Sequence, residues 1–269
     1  MQIGNRSFYK GHTCIMGILN VTPDSFSDGG SFNELDKALF HVEEMVKEGA
    51  DIVDLGGEST RPGYTLLSEE EEINRVLPYI EKIKSRFDIP VSLDTYKWKV
   101  AEAGLAAGID LVNDIWGLQY DQGEMAALIA RHKVPSCLMH NRKEAVYQNY
   151  MEDVCCDLKR TLEIAKRAGI EKDSIILDPG VGFAKSYEQN LEVIQKLDQI
   201  CDLGYPVLLG CSRKSVIGLT LDLPVTERLE GTLATTAMGV LRGAAFVRVH
   251  DVKENVRFVK MLEKMLEVR

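Results

Sequence analysis

Short apolar runs that end in polar residues alternate with helix-period segments along the 269-residue chain, and this alternation limits the fold more than any other feature. Strands joined through helices are parallel and covered on both faces, so they read as continuous apolar runs. Eight runs fit: CIMGILN from Cys14, DIVDLG from Asp51, PVSLD from Pro90, DLVND from Asp110, VPSCLM from Val134, SIILD from Ser174, YPVLLG from Tyr205 and AFVRV from Ala245. An open doubly wound sheet gives the same alternation. Eight strand-then-helix units in about 250 residues match a closed barrel better, and one α/β TIM (β/α)8-barrel domain over 1–269 is expected.

The intervening helices carry their own signals. Ser68 followed by Glu71 spells a capping box, after which Ile73, Val76, Leu77, Ile80 and Ile83 recur at helical spacing. Leu35, Leu39, Val42 and Val46 form a second stripe that ends at Gly49, a left-handed cap. Asp251 with Glu254 is expected to cap the last helix, with Val252, Val256, Val259 and Leu266 as its apolar face.

Charge and composition remove several classes of function. The net charge is -9, and the 32 basic residues form no stripe, which argues against a nucleic-acid surface. No apolar run reaches the roughly 18 residues of a membrane span, and MQIGNRSFYKGHT lacks the apolar centre of a signal peptide, so a cytoplasmic location is expected. The six cysteines form no C-x-x-C pair and read as small buried apolar residues, with neither disulfides nor zinc expected.

In a parallel barrel, ligands sit at the C-terminal ends of the strands. Those ends are polar throughout: Asn20, Asp94, Asn113 with Asp114, His140, Asp178, then Ser212, Arg213 and Lys214, and last Arg248 and His250. Carboxylates and amides on one side, with cations on the other, suit a donor-rich heterocycle that carries an anionic group. Asp, Asn and Ser also end strands as turn and cap residues, so Asp94, Asn113 or Ser212 taken singly is equally a cap or a ligand. Asp178 before Pro179 and Gly180 is also explained by a turn, and Arg213 and Lys214 by a solvated pair. His12, His41 and His132 fall in no cluster. The loops NVTPDSFSDGG from Asn20 and GGESTRPG from Gly56 have the composition of either tight turns or ligand-covering segments.

MGILNVTPDSFSDGG from Met16 and DIVDLGGESTRPG from Asp51 resemble the two signature segments of the dihydropteroate synthases. SLDT at Ser92, NDI at Asn113, LDPGVGF at Leu177, GCSRKS at Gly210 and RVHDV at Arg248 continue the likeness over essentially the whole chain. Cys211 is a small departure, where the family more usually has Thr or Ala. The resemblance implies condensation of 6-hydroxymethyl-7,8-dihydropterin diphosphate with p-aminobenzoate to give 7,8-dihydropteroate and diphosphate. It also implies that Asp94, Asn113, Met139, Asp178 and Lys214 bind the pterin, with Met139 packed on the ring plane. The diphosphate would be held by Asn20, Thr60, Arg61, Arg248 and His250, with Mg2+ on Asn20, and p-aminobenzoate would meet Phe26, Pro62, Phe183 and Ser212. Asp94, Lys214, Arg248 and His250 would carry the chemistry by stabilising charge, without a strong general base.

Family members are commonly homodimers, and Ala234, Ala237, Met238 and Leu241 offer an apolar helix face that is equally explained as core. Three rival readings remain at this level. A pterin-dependent corrinoid methyltransferase has no diphosphate for the SRK and RVHDV residues to hold, and an aldolase with Lys214 as Schiff base needs a lowered amine pKa. A non-catalytic pterin-binding paralogue would be expected to lack charged site residues, whereas Asp94, Asp178, Lys214, Arg248 and His250 are all present.

Overall fold

The structure, a computed structural model, describes residues 1–8, 11–21, 31–58 and 66–268, with backbone alone at 31–33. Each of the eight expected runs forms a strand: β1 Cys14–Asn20, β2 Ile52–Gly56, β3 Val91–Asp94, β4 Leu111–Asp114, β5 Ser136–Met139, β6 Ile175–Asp178, β7 Leu208–Leu209 and β8 Phe246–Val249. They pair in parallel in the order β6-β5-β4-β3-β2-β1-β8-β7. A parallel bridge between Leu177 and Val207 joins the two ends and closes the barrel. β7 is shorter than its apolar run because Val207 O accepts from both Ala245 N and Phe246 N, which breaks the regular ladder there.

Helices follow the strands: α1 Ser31–Glu48, α2 Glu69–Arg86, α3 Trp98–Ala106, α4 Glu124–His132, α5 Tyr150–Ala168, α6 Tyr187–Gln195, α7 Asp198–Cys201, α8 Ser215–Leu221, α9 Leu229–Leu241 and α10 Val252–Glu267. The capping box of α2 is complete, with Ser68 accepting from Glu71 N and Glu71 accepting from Ser68 N. Gly49 ends α1 with φ +100°, the left-handed conformation expected of it. α10 departs from expectation at both ends. Asp251 makes no capping bond, because its carboxylate takes the Arg213 guanidinium at 3.1 and 2.5 Å. Leu266 is 52% exposed, about two turns beyond Val259, the last stripe residue covered by the barrel.

The two-residue side-chain period of a strand sorts the barrel interior into layers. Cys14, Met16, Ile52, Leu111, Cys137, Ile176, Leu208 and Phe246 form an apolar floor. An N-terminal hairpin, Gln2–Ile3 against Arg6–Ser7, closes that floor from below with Ile3 and Phe8, the latter ring lying 5.6 Å from Phe246. One inward position further along the strands, Ile52 gives way to Asp54, Leu111 to Asn113, Cys137 to Met139, Ile176 to Asp178 and Phe246 to Arg248. The outward residues, among them Val53, Leu55, Val112, Leu138, Leu177 and Val247, pack under the helices in the main core.

The cysteines are all free thiols. Cys14, Cys137 and Cys211 are buried as expected, but Cys156 is exposed on α5, so the reading of all six as core residues holds only in part.

Candidate active site at the barrel mouth

The upper layer brings the strand-end residues together around one guanidinium. Arg248 Nε donates to Asp54 Oδ2 at 2.6 Å and Nη2 to Asp94 Oδ2 at 2.8 Å. Asn113 Nδ2 reaches the same Asp54 oxygen at 3.2 Å. The cations and carboxylates expected on opposite sides are therefore interleaved. A guanidinium has five N–H donors, so Arg248 retains three beyond these two bonds. Burial pushes the Asp94 carboxyl up to about 7; Arg248 opposes the shift and the neighbouring Asp54 charge adds to it.

Asp54 was not among the sequence candidates, although a carboxylate inside the apolar run DIVDLG is itself a signal. It is 0% exposed, and its Oδ1 has no hydrogen-bond partner among the described residues. A buried carboxylate oxygen without a donor is costly unless a ligand or water supplies one.

Across the mouth, Asp178 Oδ1 accepts Gly180 N at 2.6 Å, and burial raises its pKa against the pull of Lys214. Burial lowers the Lys214 amine in turn, with Asp178 opposing. Lys214 Nζ donates to Val181 O at 2.5 Å and stands 5.0 Å from the centre of the Phe183 ring. Met139, Tyr96 and Ile115 form a small apolar shelf, against which Trp116 and Phe183 pack. A flat ring can lie on this shelf with carboxylates and an amine at its edges.

His250 is oriented by Ser212. The Ser212 hydroxyl accepts from His250 N at 3.1 Å and lies 2.9 Å from His250 Nδ1. With two lone pairs and one proton, Ser212 Oγ accepts the backbone N–H and either donates to Nδ1 or accepts from it; the donating arrangement leaves the ring proton on Nε2. Ser212, expected in a p-aminobenzoate wall, is thus buried on His250. Asn20 ends β1 half-buried, and its Oδ1 and Asp94 Oδ2 lie 3.5 and 3.9 Å from the point a Cβ on Gly56 would occupy. Phe26, Thr60, Arg61 and Pro62 lie outside the described residues.

One strand-end candidate is not in the mouth. Met139 points inward, so His140 points outward, where Nε2 meets Asp157 Oδ2 of α5 at 3.2 Å and Nδ1 meets Lys185 Nζ at 2.9 Å. Burial pushes the imidazole down to about 4 from 6.5, its bond with Asp157 opposing. A histidine with a depressed folded pKa lets the unfolded chain bind the proton first, so stability falls as pH drops from 6.5 towards 4. Between pH 7 and 5 this imidazole should cost about 2 kcal/mol. The stability advantage of the protein over its His140→Gln variant, read from urea unfolding, should shrink by that amount over the same interval. A constant advantage would contradict the assignment.

A sequence model of the family described as pterin binding enzyme matches residues 16–250. The dihydropteroate synthase of Clostridium beijerinckii is 60% identical over 98% of both chains. Two solved structures share the fold closely. The dihydropteroate synthase of Clostridium difficile, in the presence of pteroic acid, has a TM-score of 0.94 and 51% identity over 96% of this chain and 99% of that one. The Xanthomonas albilineans enzyme with 4-aminobenzoic acid gives 0.91 and 40%, over 96% and 94%.

Proposed function

The chain belongs to the pterin binding enzymes, and among them to the dihydropteroate synthases; from that premise we propose that its barrel mouth holds 6-hydroxymethyl-7,8-dihydropterin diphosphate while p-aminobenzoate attacks the methylene carbon. The C–O bond to diphosphate breaks, a C–N bond to the arylamine forms, and 7,8-dihydropteroate leaves with diphosphate. The observation that carries the residue-level reading is the polar layer itself, in which Asn113 and Asp178 stand one inward step above an apolar floor, with Asp94 at the same level and Arg248 and Lys214 beside them.

Each group then has a physical task. Asp178 and Asn113 meet the amino and ring N–H edge of the pterin, where a fixed carboxylate accepts two parallel donors. Lys214 meets the opposite edge, and Met139 supports the ring face. As the C–O bond lengthens, positive charge grows on the methylene and ring, and Asp94 stabilises it. The remaining N–H groups of Arg248 and the Nε2–H of His250 hold the departing diphosphate, joined by Asn20, Thr60 and Arg61. Phe183 and Ser212, with Phe26 and Pro62, bound the p-aminobenzoate. The weakly basic arylamine attacks without a general base.

Asn20 Oδ1, at the end of β1 and 3.5 Å from the point a Cβ on Gly56 would occupy, is an amide oxygen suited to Mg2+, a hard cation that binds through few protein oxygens and the substrate's phosphates. Asn20 would hold it, and the ion would neutralise charge on the diphosphate. A homodimer and a cytoplasmic location belong to the same proposal. Supporting the first, Leu219, Leu221 and Leu241 are exposed on α8 and α9; supporting the second, no helix among the described residues is long and apolar enough to cross a membrane.

The assignment of the pterin edge is tested by fluorescence titration with 6-hydroxymethyl-7,8-dihydropterin. Asp178→Asn turns an acceptor into a donor towards the ligand's N–H groups and should weaken binding about 100-fold. Equal affinity for the two proteins would rule Asp178 out of that role.

A further inference from the structure

Residues 179–186, between β6 and α6, carry Phe183 to the mouth, and part-buried polar anchors set their path. Gly182 N donates to Asn190 Oδ1 at 2.6 Å, and Tyr147 OH donates to Ala184 O at 2.8 Å. Lys185 Nζ donates to Phe183 O at 3.0 Å and, with the same amine, to His140 Nδ1 at 2.9 Å. His140 is 2% exposed and passes the connection to Asp157, which Arg142 and Arg160 hold at 2.6 and 2.8 Å. A chain of bonds therefore runs from the carbonyl of Phe183 through Lys185 and His140 to α5.

We propose that Lys185 is a positioning residue for the arylamine substrate: its amine ties the β6–α6 segment to the end of β5 and so fixes the Phe183 ring against Lys214, without touching either substrate. This rests on the reading of Phe183 as a wall of the p-aminobenzoate site.

Three features support it. Both partners of the amine are lone pairs, a ring nitrogen and a carbonyl, and no carboxylate among the described residues is bonded to it. Burial, together with the nearby Lys214 charge and against the pull of Asp178, lowers Lys185 to about 7. A neutral amine has two N–H donors and an ammonium three, so either form makes both bonds. The bonds are thus suited to holding geometry rather than to moving a proton. The segment also needs holding, since Ala184 sits at φ +43°, a conformation that persists only where the surroundings impose it. Finally, the Phe183 ring lies 5.0 Å from Lys214 Nζ, so a shift at residue 185 moves a wall of the mouth, while Lys214 keeps its own bond to Val181 O four residues earlier.

The test is steady-state kinetics with each substrate varied in turn, for Lys185→Met, Phe183→Ala and the double variant. Misplacement of a wall residue by a fraction of an ångström should raise the KM for p-aminobenzoate about tenfold in Lys185→Met while the KM for the pterin diphosphate stays within about twofold. In the Phe183→Ala background, Lys185→Met should add nothing, because the two act as one unit. Tyr147→Phe removes a neighbouring anchor more gently and should raise the same KM about threefold, so the inference stays testable if Lys185→Met folds poorly. Equal changes in both KM values, additive effects of Lys185→Met and Phe183→Ala, or an unchanged KM in both anchor variants would overturn it. An unchanged KM for p-aminobenzoate in Phe183→Ala alone would instead overturn the reading of Phe183 on which it rests.

Discussion

Replacing Arg248 by alanine is expected to abolish measurable turnover and to lower stability by about 3–5 kcal/mol. The guanidinium is the shared partner of Asp54 at 2.6 Å and Asp94 at 2.8 Å. Its loss leaves the buried Asp54 carboxylate and the partly buried Asp94 without their counter-charge, and the cost of an uncompensated buried charge exceeds that of losing a surface pair. The same substitution removes the donors offered to the diphosphate, and loss of a single fixed donor at a charge-developing atom already costs about 10²–10³ in rate. The two effects separate in a double variant. Arg248→Ala with Asp54→Asn removes one stranded charge along with its partner, so the unfolding midpoint in urea should recover in part while turnover does not. A single variant with the midpoint of the parent protein would show that the buried pair contributes nothing.

Gly180→Ala is the second large effect, and it acts through the backbone. Gly180 has φ +69°, and a Cβ there would lie 2.0 Å from the carbonyl oxygen of His140. The left-handed conformation alone costs roughly 1–2 kcal/mol for a residue with a Cβ. The overlap is with main chain rather than with a side chain that can turn away, and it adds about 1–3 kcal/mol. Relief requires β5 and β6 to separate at their ends, which moves Asp178, whose Oδ1 accepts the Gly180 N–H at 2.6 Å. Thermal unfolding should show a loss of about 2–5 kcal/mol, accompanied by weakened pterin binding. Gly123→Ala is the control: Gly123 has φ +113° with nothing within 4 Å of its Cβ position, so it should show the conformational cost alone. Equal losses in the two variants would show that the contact with His140 has no weight.

Much of this arrangement was legible in the chain because local periodicity carries it. Every strand begins within three residues of its apolar run, since parallel strands buried on both faces have no polar face to confuse the pattern. Arg248, Asp94, Asn113 and Asp178 were found because each ends a run, and counting back by two gives the apolar floor beneath, except under Asp94, which stands over Ser92. The same count identifies His140 as outward, from Met139 inward, which the strand-end rule by itself does not do. What was not legible depends on partners distant in sequence. Asp251 obeys the spacing of a cap, yet Arg213, 38 residues earlier, takes its carboxylate. Asp54 is paired with Arg248 across 194 residues, and only the closed barrel brings them together. Lys185 carries no motif of its own, because its role is set by a histidine 45 residues away, just past the end of β5. Leu266 continues the helical stripe past the edge of the sheet it would cover, where periodicity persists but the core does not.

The most direct test of the central claim is chromatographic measurement of both products after incubating the protein with the dihydropterin diphosphate, p-aminobenzoate and Mg2+. The account predicts dihydropteroate and diphosphate in equal amounts, and neither product from the folded Arg248→Ala, Asp54→Asn variant. Tight pterin binding without either product, or turnover that survives in that variant, would contradict it.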